Sequence, residues 1–557
     1  MAILKMSRPN MAGWSTSVKE GLKARRHISG WALPKQNSSV APPNVWSNAD
    51  QDPVPPERRT WTARTFVSYW FSDLVTVSTW SQGSSVVAAG LSASDAMLIC
   101  FVASMCNAVP IVLNGAIGSD LHVPFPIAAR AAYGYWLSYF AVVSRAILAL
   151  FWFGVNSSAG GLAVTQMIKS IWPSYANLPN NLPESAGITT QGMVSYLLFH
   201  LLQLPFLFIP IHRLQPLFLA KVIVMPPVAI GMVAWITTQA GGSDFFNVPA
   251  QVSGTTRVWL WLASMTSVTA SYSTLAVNIP DFSRFAKSPG AQIWQLPFIP
   301  IFKVAIAACG IISASASAQI YGEALWNPLL IIDNWHGSAR GRAAAFFCSI
   351  CWCLAQICLN VSANSLSFSN DVTSMLPRFI NIRRGSVICF LIGGWALCPW
   401  LILESGQTFL NFMSAYAIFM APLAGFLMCD YWIIKRRRYD VPALYDPNGM
   451  YGKCNWRSLI VLIVTIVPMM PGLANKVSPS TVPIPAGLQH LFAINWLYGF
   501  SLTVVLYAVL NLLFPDQKTL IPRVIRGVSV SGAVDEEGPT IYDLTNEHAR
   551  VDQVKTG

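Results

Sequence analysis

Long apolar runs recur from about residue 66 to about residue 514, separated by short polar gaps. Wound as a helix at about 1.5 Å per residue, roughly 20 such residues cross the ~30 Å hydrocarbon core of a bilayer. In lipid, only helices and closed barrels leave no backbone polar group unpaired. Candidate spans fall near 66 to 89, 96 to 117, 138 to 168, 192 to 211, 216 to 238, 258 to 279, 297 to 321, 343 to 368, 387 to 403, 408 to 434, 458 to 475 and 490 to 514. Of the 557 residues, 54% are hydrophobic and 11% charged, more apolar surface than a water-soluble core hides. The expectation is an all-α integral membrane protein of about twelve transmembrane helices, with a membrane domain over residues 57–514 and tails over 1–56 and 515–557.

The formal charge of +12 does not imply a nucleic-acid partner, because the basic residues collect beside the ends of apolar runs, as in Arg383-Arg384 and Lys435-Arg436-Arg437-Arg438. Arg130, Arg213, Arg284, Lys287, Arg378, Lys453 and Arg457 join these on the side of the tails, thirteen Lys and Arg against five (Lys169, Arg257, Arg340, Arg342, Lys476) on the other. That bias places both termini in the cytoplasm of a multi-pass membrane protein. Most of the eleven cysteines lie inside apolar runs (Cys351, Cys353, Cys389, Cys398) and read as small hydrophobes rather than disulfides or metal ligands. Residues 1–56 lack the apolar core of a signal peptide and read as a mobile tail. Lys19, Lys23 and Lys35 there are candidate attachment points for ubiquitin ligase machinery, and the end of the chain turns acidic at Asp535-Glu536-Glu537, Asp543 and Glu547.

Polar groups at mid-depth carry the functional information, since each is costly in hydrocarbon unless paired. The first run holds Ser78-Thr79-Trp80-Ser81-Gln82-Gly83-Ser84-Ser85, and the sixth holds Ser264, Thr266, Ser267, Thr269, Ser271 and Ser273. Such stretches fit helices interrupted near the bilayer centre around a solute, and equally fit hydroxyls that only pack helices. Trp152 with Asn156, and Asn360 with Asn364, are pairs four apart that share a helix face, and Tyr272 lies mid-run. An aromatic plane beside an amide suits a flat heterocycle, though the same amides serve as interhelical glue. Asp73 and Asp371 sit toward the cytoplasm as candidate proton sites or gate halves, with Arg284 or Lys287 as alternative ion-pair partners. Lys221 and Lys303 lie near the starts of their runs and are expected to snorkel. Arg145, within the third run, requires a partner that the sequence does not identify. No His-Glu-x-x-His, Gly-x-Ser-x-Gly or phosphate loop is present, so the reading is not an enzyme.

Six ordered blocks then give a resemblance: Phe151-Trp-Phe-Gly-Val155, Leu182-Pro-Glu-Ser-Ala-Gly-Ile-Thr189, Val277-Asn-Ile-Pro-Asp-Phe-Ser-Arg284, Leu359-Asn-Val-Ser-Ala-Asn-Ser365, Pro377-Arg-Phe-Ile-Asn-Ile-Arg-Arg384, and Cys429-Asp-Tyr-Trp432 followed by Asp440-Val-Pro-Ala-Leu-Tyr445. From residue 52 to about 514 the chain resembles the fungal uracil, allantoin and uridine permease branch of the nucleobase:cation symporters. The resemblance implies a five-plus-five inverted repeat (LeuT-like) with two additional C-terminal helices, and a substrate site between helices one, three, six and eight. Trp152 would stack on one face of the substrate, Tyr272 would take the opposing aromatic's place, and Asn364 would bond the ring. The family's helix-three glutamine is Asn156 here, a shorter amide that puts uracil itself in question.

The substrate-binding candidates are therefore Trp152, Asn156, Ser271, Tyr272, Asn360 and Asn364. Candidates for coupling or gating are Asp73, Asp371, Asp281, Arg284 and Met413. Sodium-coupled bacterial relatives place hydroxyl ligands where this chain has Cys358 and Leu359, which cannot replace hard oxygen donors. A proton is the expected coupling ion, with no cofactor. The rival readings are a thiamine-like or amino-acid substrate on the same scaffold, or a sensor that binds without transporting.

Overall fold

The computed structural model describes residues 28–34, 40–41, 45–209, 215–242, 249–395, 398–478 and 480–526. Lys19, Lys23, Lys35, Arg213 and the acidic segment beyond Asp535 lie outside the described residues. Helix covers part of each apolar run: α1 (Ala63–Leu74), α2 (Val77–Ala88), α3 (Ala93–Leu121), α4 (Ser138–Ile171), α5 (Thr190–Leu207), α6 (Gln215–Gln239), α7 (Gly254–Ala270), α8 (Ser273–Asn278), α9 (Gln295–Tyr321), α10 (Ala339–Leu359), α11 (Leu366–Met375), α12 (Ile382–Gly393), α13 (Gly406–Met428), α14 (Trp456–Ile466) and α15 (Asn495–Leu513). Among the described residues, eight helices are long and apolar enough to cross a membrane. Extended pairing is confined there to isolated bridges, Trp61 with Ala286 and Asp440 with Ile525.

The bundle is inverted relative to a water-soluble one. Leu201, Leu219, Ile223, Ile230, Phe347, Leu391 and Val505 are exposed, whereas Asn107, Asn114, Gln203, Gln356 and Asn360 are buried. Lipid suits the first group, and paired amides inside protein suit the second. Asn107 and Asn114 on α3 use their NH₂ groups to bind α7 and α8, donating to the carbonyls of Thr269 and Ala276 beside a helix break at 2.7 Å each.

Two helices are interrupted. The first break falls at Val75 and Thr76, within the β-branched run Val75-Thr76-Val77, where Thr76 adopts extended angles (φ −143°, ψ 162°) and accepts from the Thr79 amide to cap α2. The second falls at Ser271 and Tyr272 between α7 and α8. Each break strands carbonyls at the end of its first half. Two lysines meet them. Lys221 of α6 donates to the Ser72 carbonyl, and Lys303 of α9 donates to Val268 at 2.9 Å. Both lysines are buried rather than snorkelled, contrary to expectation, because an ammonium is held favourably at a helix C-terminus.

The end of the expected mobile tail is also packed. Ser47, Asn48 and Gln51 are buried; Asn48 donates to the carbonyls of Pro377 and Ile380, and Gln51 to that of Asn370. The Asn48 amide satisfies carbonyls where α11 ends and turns toward α12, which water would otherwise have to do, and Gln51 adds a bond to the middle of α11.

Candidate functional site

The two breaks open onto one cavity, lined by Asp73, Ser78 and Gln82 from the first interrupted helix, Arg145, Trp152 and Asn156 from α4, Ser271, Tyr272 and Asn278 from the second, Leu359 at the end of α10, and Ala363 and Asn364 just beyond it. Five of the six substrate-binding candidates are among them. Residues 360–365 form a π-helical turn that widens the end of α10 where Asn364 projects.

Both aromatic groups are fixed from behind. The Trp152 indole donates to the Tyr416 hydroxyl at 3.2 Å and meets Phe412 edge-on at a 5.6 Å centroid distance. Tyr272 shares a 2.7 Å hydrogen bond with the Thr79 hydroxyl, and its ring lies 4.8 Å from the Lys303 ammonium. Ser271 donates to Gln82 Oε1 at 2.9 Å. Asn156 is held by three bonds: its Oδ1 accepts from Ser78 (2.8 Å) and Gln356 (3.1 Å), and its Nδ2 donates to the Trp152 carbonyl (2.9 Å). That leaves one N–H of Asn156 for a ligand.

Asn360 departs from its expected place. It does not line the cavity, because its Nδ2 is bonded to Phe153, Ser157 and Gln203 and its Oδ1 accepts from Asn364. Asn360 therefore supports Asn364 instead of meeting the ligand beside it.

The charged candidates separate into different environments. Asp371 forms a buried ion pair with Arg145, which supplies the partner missing from the sequence reading and displaces Arg284 and Lys287 as its alternatives. Among the described residues neither oxygen of Asp73 has a hydrogen-bond partner, although the residue is buried at the cavity wall. Asp281 accepts from the Phe125 amide (2.9 Å) and Asn278 (3.2 Å), and Arg284 donates to the Asp50 carbonyl (2.8 Å), so both tie the segment after α8 to its neighbours. Met413 is fully buried on α13 and does not line the cavity.

Sequence reading did not single out Gln356, Gln203 or Tyr416. A signal for the first was present, since Gln356, Asn360 and Asn364 recur every four residues on one face. Gln203 and Tyr416 carry no such pattern and become visible only when α5 and α13 are packed in place.

A bundle of apolar helices, two of them broken around an aromatic and amide-lined cavity, defines a multi-pass membrane transporter. Residues 53–499 match the model of the permeases for cytosine/purines, uracil, thiamine and allantoin, and the chain belongs to that family. An uncharacterized permease of Schizosaccharomyces pombe is 35% identical over 86% of this chain and 86% of its own length. The allantoin permease of Saccharomyces cerevisiae is 30% identical over 88% of this chain and 78% of its own, and the uracil permease of that yeast is 30% identical over 84% and 76%. Among solved structures, the nucleobase-cation-symport-1 transporter Mhp1, closed with bromovinylhydantoin bound, aligns at a TM-score of 0.65 with 20% identity, covering 86% of this chain and 97% of that one. These relatives are permeases, and the chain is a transporter, not an enzyme.

Proposed function

We propose that the protein is a proton-coupled symporter that imports a nucleobase, nucleoside or related heterocycle of the uracil, allantoin or uridine class by alternating access. The observation that carries this reading is the cavity where the Trp152 and Tyr272 rings meet the amides of Asn156 and Asn364. Rings offer stacking, worth about 1–3 kcal/mol per base, and amides offer matched donors and acceptors. Twelve crossings, with a five-plus-five inverted repeat and two further helices, would leave both termini in the cytoplasm at the plasma membrane. Ubiquitin ligase machinery would act at the tails.

Asp73 and Asp371 take different roles in this reading. A buried carboxylate with no hydrogen-bond partner among the described residues is costly to hold charged in hydrocarbon, which suits Asp73 as the group that carries a proton in and releases it. Asp371, matched to Arg145, is one half of an inner gate.

A thermal-shift panel on purified protein tests the substrate class, using uracil, cytosine, allantoin, uridine, hypoxanthine and thiamine. Stabilisation by a nucleobase or allantoin, lost in Trp152→Ala, is expected. Stabilisation by thiamine alone would move the protein to the rival substrate, and binding unaffected by Trp152→Ala would remove the site from consideration.

A further inference from the structure

Behind Asn364 runs a chain of hydrogen bonds whose direction is determined at every link. Asn364 Nδ2 donates to Asn360 Oδ1 (2.9 Å), and Asn360 Nδ2 donates to Gln203 Oε1 (2.9 Å). Gln203 Nε2 points to His200 Nδ1 (3.1 Å), and His200 Nε2 faces the Phe390 carbonyl (3.1 Å). A carbonyl only accepts, so Nε2 carries the proton, and in a neutral imidazole Nδ1 is then an acceptor. Gln203 must therefore turn its NH₂ toward His200 and its oxygen toward Asn360. Ser157 Oγ sits beside the chain and accepts from both Gln203 (2.9 Å) and Asn360 (3.1 Å), in agreement with that sense.

The anchor cannot readily turn over. The His200 ring is buried, stacked on Phe390 at 3.9 Å and 15° and on Tyr196 at 5.9 Å and 11°. It lies against bare glycine backbone, where a Cβ at Gly394 would meet its Cε1 at 2.3 Å. Of the amides between His200 and the cavity, Asn360 has one backbone contact of its own, Nδ2 to the Phe153 carbonyl at 3.3 Å, longer than its 2.9 Å bond to Gln203, and a reversal would give it up; Gln203 and Asn364 have no backbone partner among the described residues. If Gln203 reversed, Asn360 would have to accept from it and donate to Asn364, and Asn364 would exchange the positions of its oxygen and NH₂.

We propose that His200, acting through Gln203 and Asn360, is the positioning residue that fixes which way the Asn364 amide presents its donor and acceptor to the ligand, and thereby sets selectivity between heterocycles of opposite hydrogen-bonding edge. The selectivity half rests on the substrate reading above. The relay itself does not.

Two measurements on the full-length protein test it separately. In the first, competition by uracil and cytosine is compared, because the two rings are nearly isosteric while one edge exchanges carbonyl acceptor for amino donor. Wild type should separate them by about tenfold or more. His200→Phe, which keeps the stacked ring and removes both nitrogens, should bring them together, and His200→Asn, which restores an acceptor toward Gln203, should recover part of the difference. A wild-type ratio retained in His200→Phe overturns the role in selectivity. If wild type binds neither ring, the role in selectivity between them is overturned, the substrate reading is decided by allantoin and uridine in the panel above, and the relay is decided by the second measurement. In ¹⁵N-histidine NMR, with His200→Phe identifying the resonance, His200 should be neutral with its proton on Nε2. A proton on Nδ1, or on both nitrogens, overturns the relay.

Discussion

Trp152 makes no stacked contact of its own among the described aromatic pairs; its neighbours Phe409, Phe412 and Tyr416 all meet it edge-on. Trp152→Ala should abolish uptake with surface expression retained, at a cost to binding of about 1–3 kcal/mol, as radiolabelled uptake and surface biotinylation would show. Asn156 stands where the resemblance leads one to expect a longer amide. With its oxygen already shared by Ser78 and Gln356, one added methylene carries the amide past both and further into the cavity. Asn156→Gln should shift relative affinities toward uracil, and competition profiles of the two proteins are the check. At this scale much of the site was legible, because mid-run aromatics and amides are rare and expensive. Asn360 was misplaced because helical spacing alone gives a face, and here the π-helical turn after α10 and the amide of Gln203 turn that residue away from the cavity.

Helix breaks were visible as hydroxyl-rich stretches but not as positions. In the first interrupted helix the polar stretch begins at Ser78, whereas the chain leaves helical angles at Val75 and Thr76. The reason is local in one part and long-range in the other: Thr76 supplies a cap, and Lys221, more than a hundred residues away in sequence, meets a carbonyl three residues before the break. The same long-range logic hid the burial of Lys303. Close approach of α2 and α9 is set by glycine, since a Cβ at Gly310 would lie 2.3 Å from the Trp80 carbonyl oxygen and one at Gly83 would lie 2.8 Å from that of Ala307. Neither backbone can yield without moving a helix. Gly310→Val should destabilise the bundle by at least about 1–3 kcal/mol, read as a lower melting temperature in detergent, with an exposed-site control such as Gly231→Ala near neutral.

Across the whole molecule, the ion pair of Arg145 and Asp371 joins α4 to α11 and bears on how the bundle rearranges. Removing one partner leaves the other charged and buried, at about 3–5 kcal/mol, whereas replacing both with apolar residues is often close to neutral. Asp371→Asn should therefore lower stability more than the double change Arg145→Met with Asp371→Leu, while both lose transport if the pair is a gate; paired melting and uptake measurements check this. The packed segment around Asn48 and Gln51 ties the chain before α1 to the turn after α11, an arrangement that composition could not reveal because its residues are polar and its partners are backbone carbonyls. Membrane class and site helices followed from hydropathy and spacing, but such long-range closures did not.

Coupling to protons gives the energetic frame. A proton driven by ~100 mV gains about 2.3 kcal/mol, and one pH unit adds about 1.4, enough together for roughly a 500-fold solute gradient. Asp73 is the residue assigned to that proton, so Asp73→Asn should still bind substrate but no longer concentrate it. The most direct measurement is uptake by purified protein in proteoliposomes, using the panel's strongest ligand and an imposed pH gradient with the acid side outside. Concentrative uptake in wild type that collapses without the gradient, and binding without accumulation in Asp73→Asn, is the predicted result. Accumulation by Asp73→Asn with wild-type pH dependence would contradict the account.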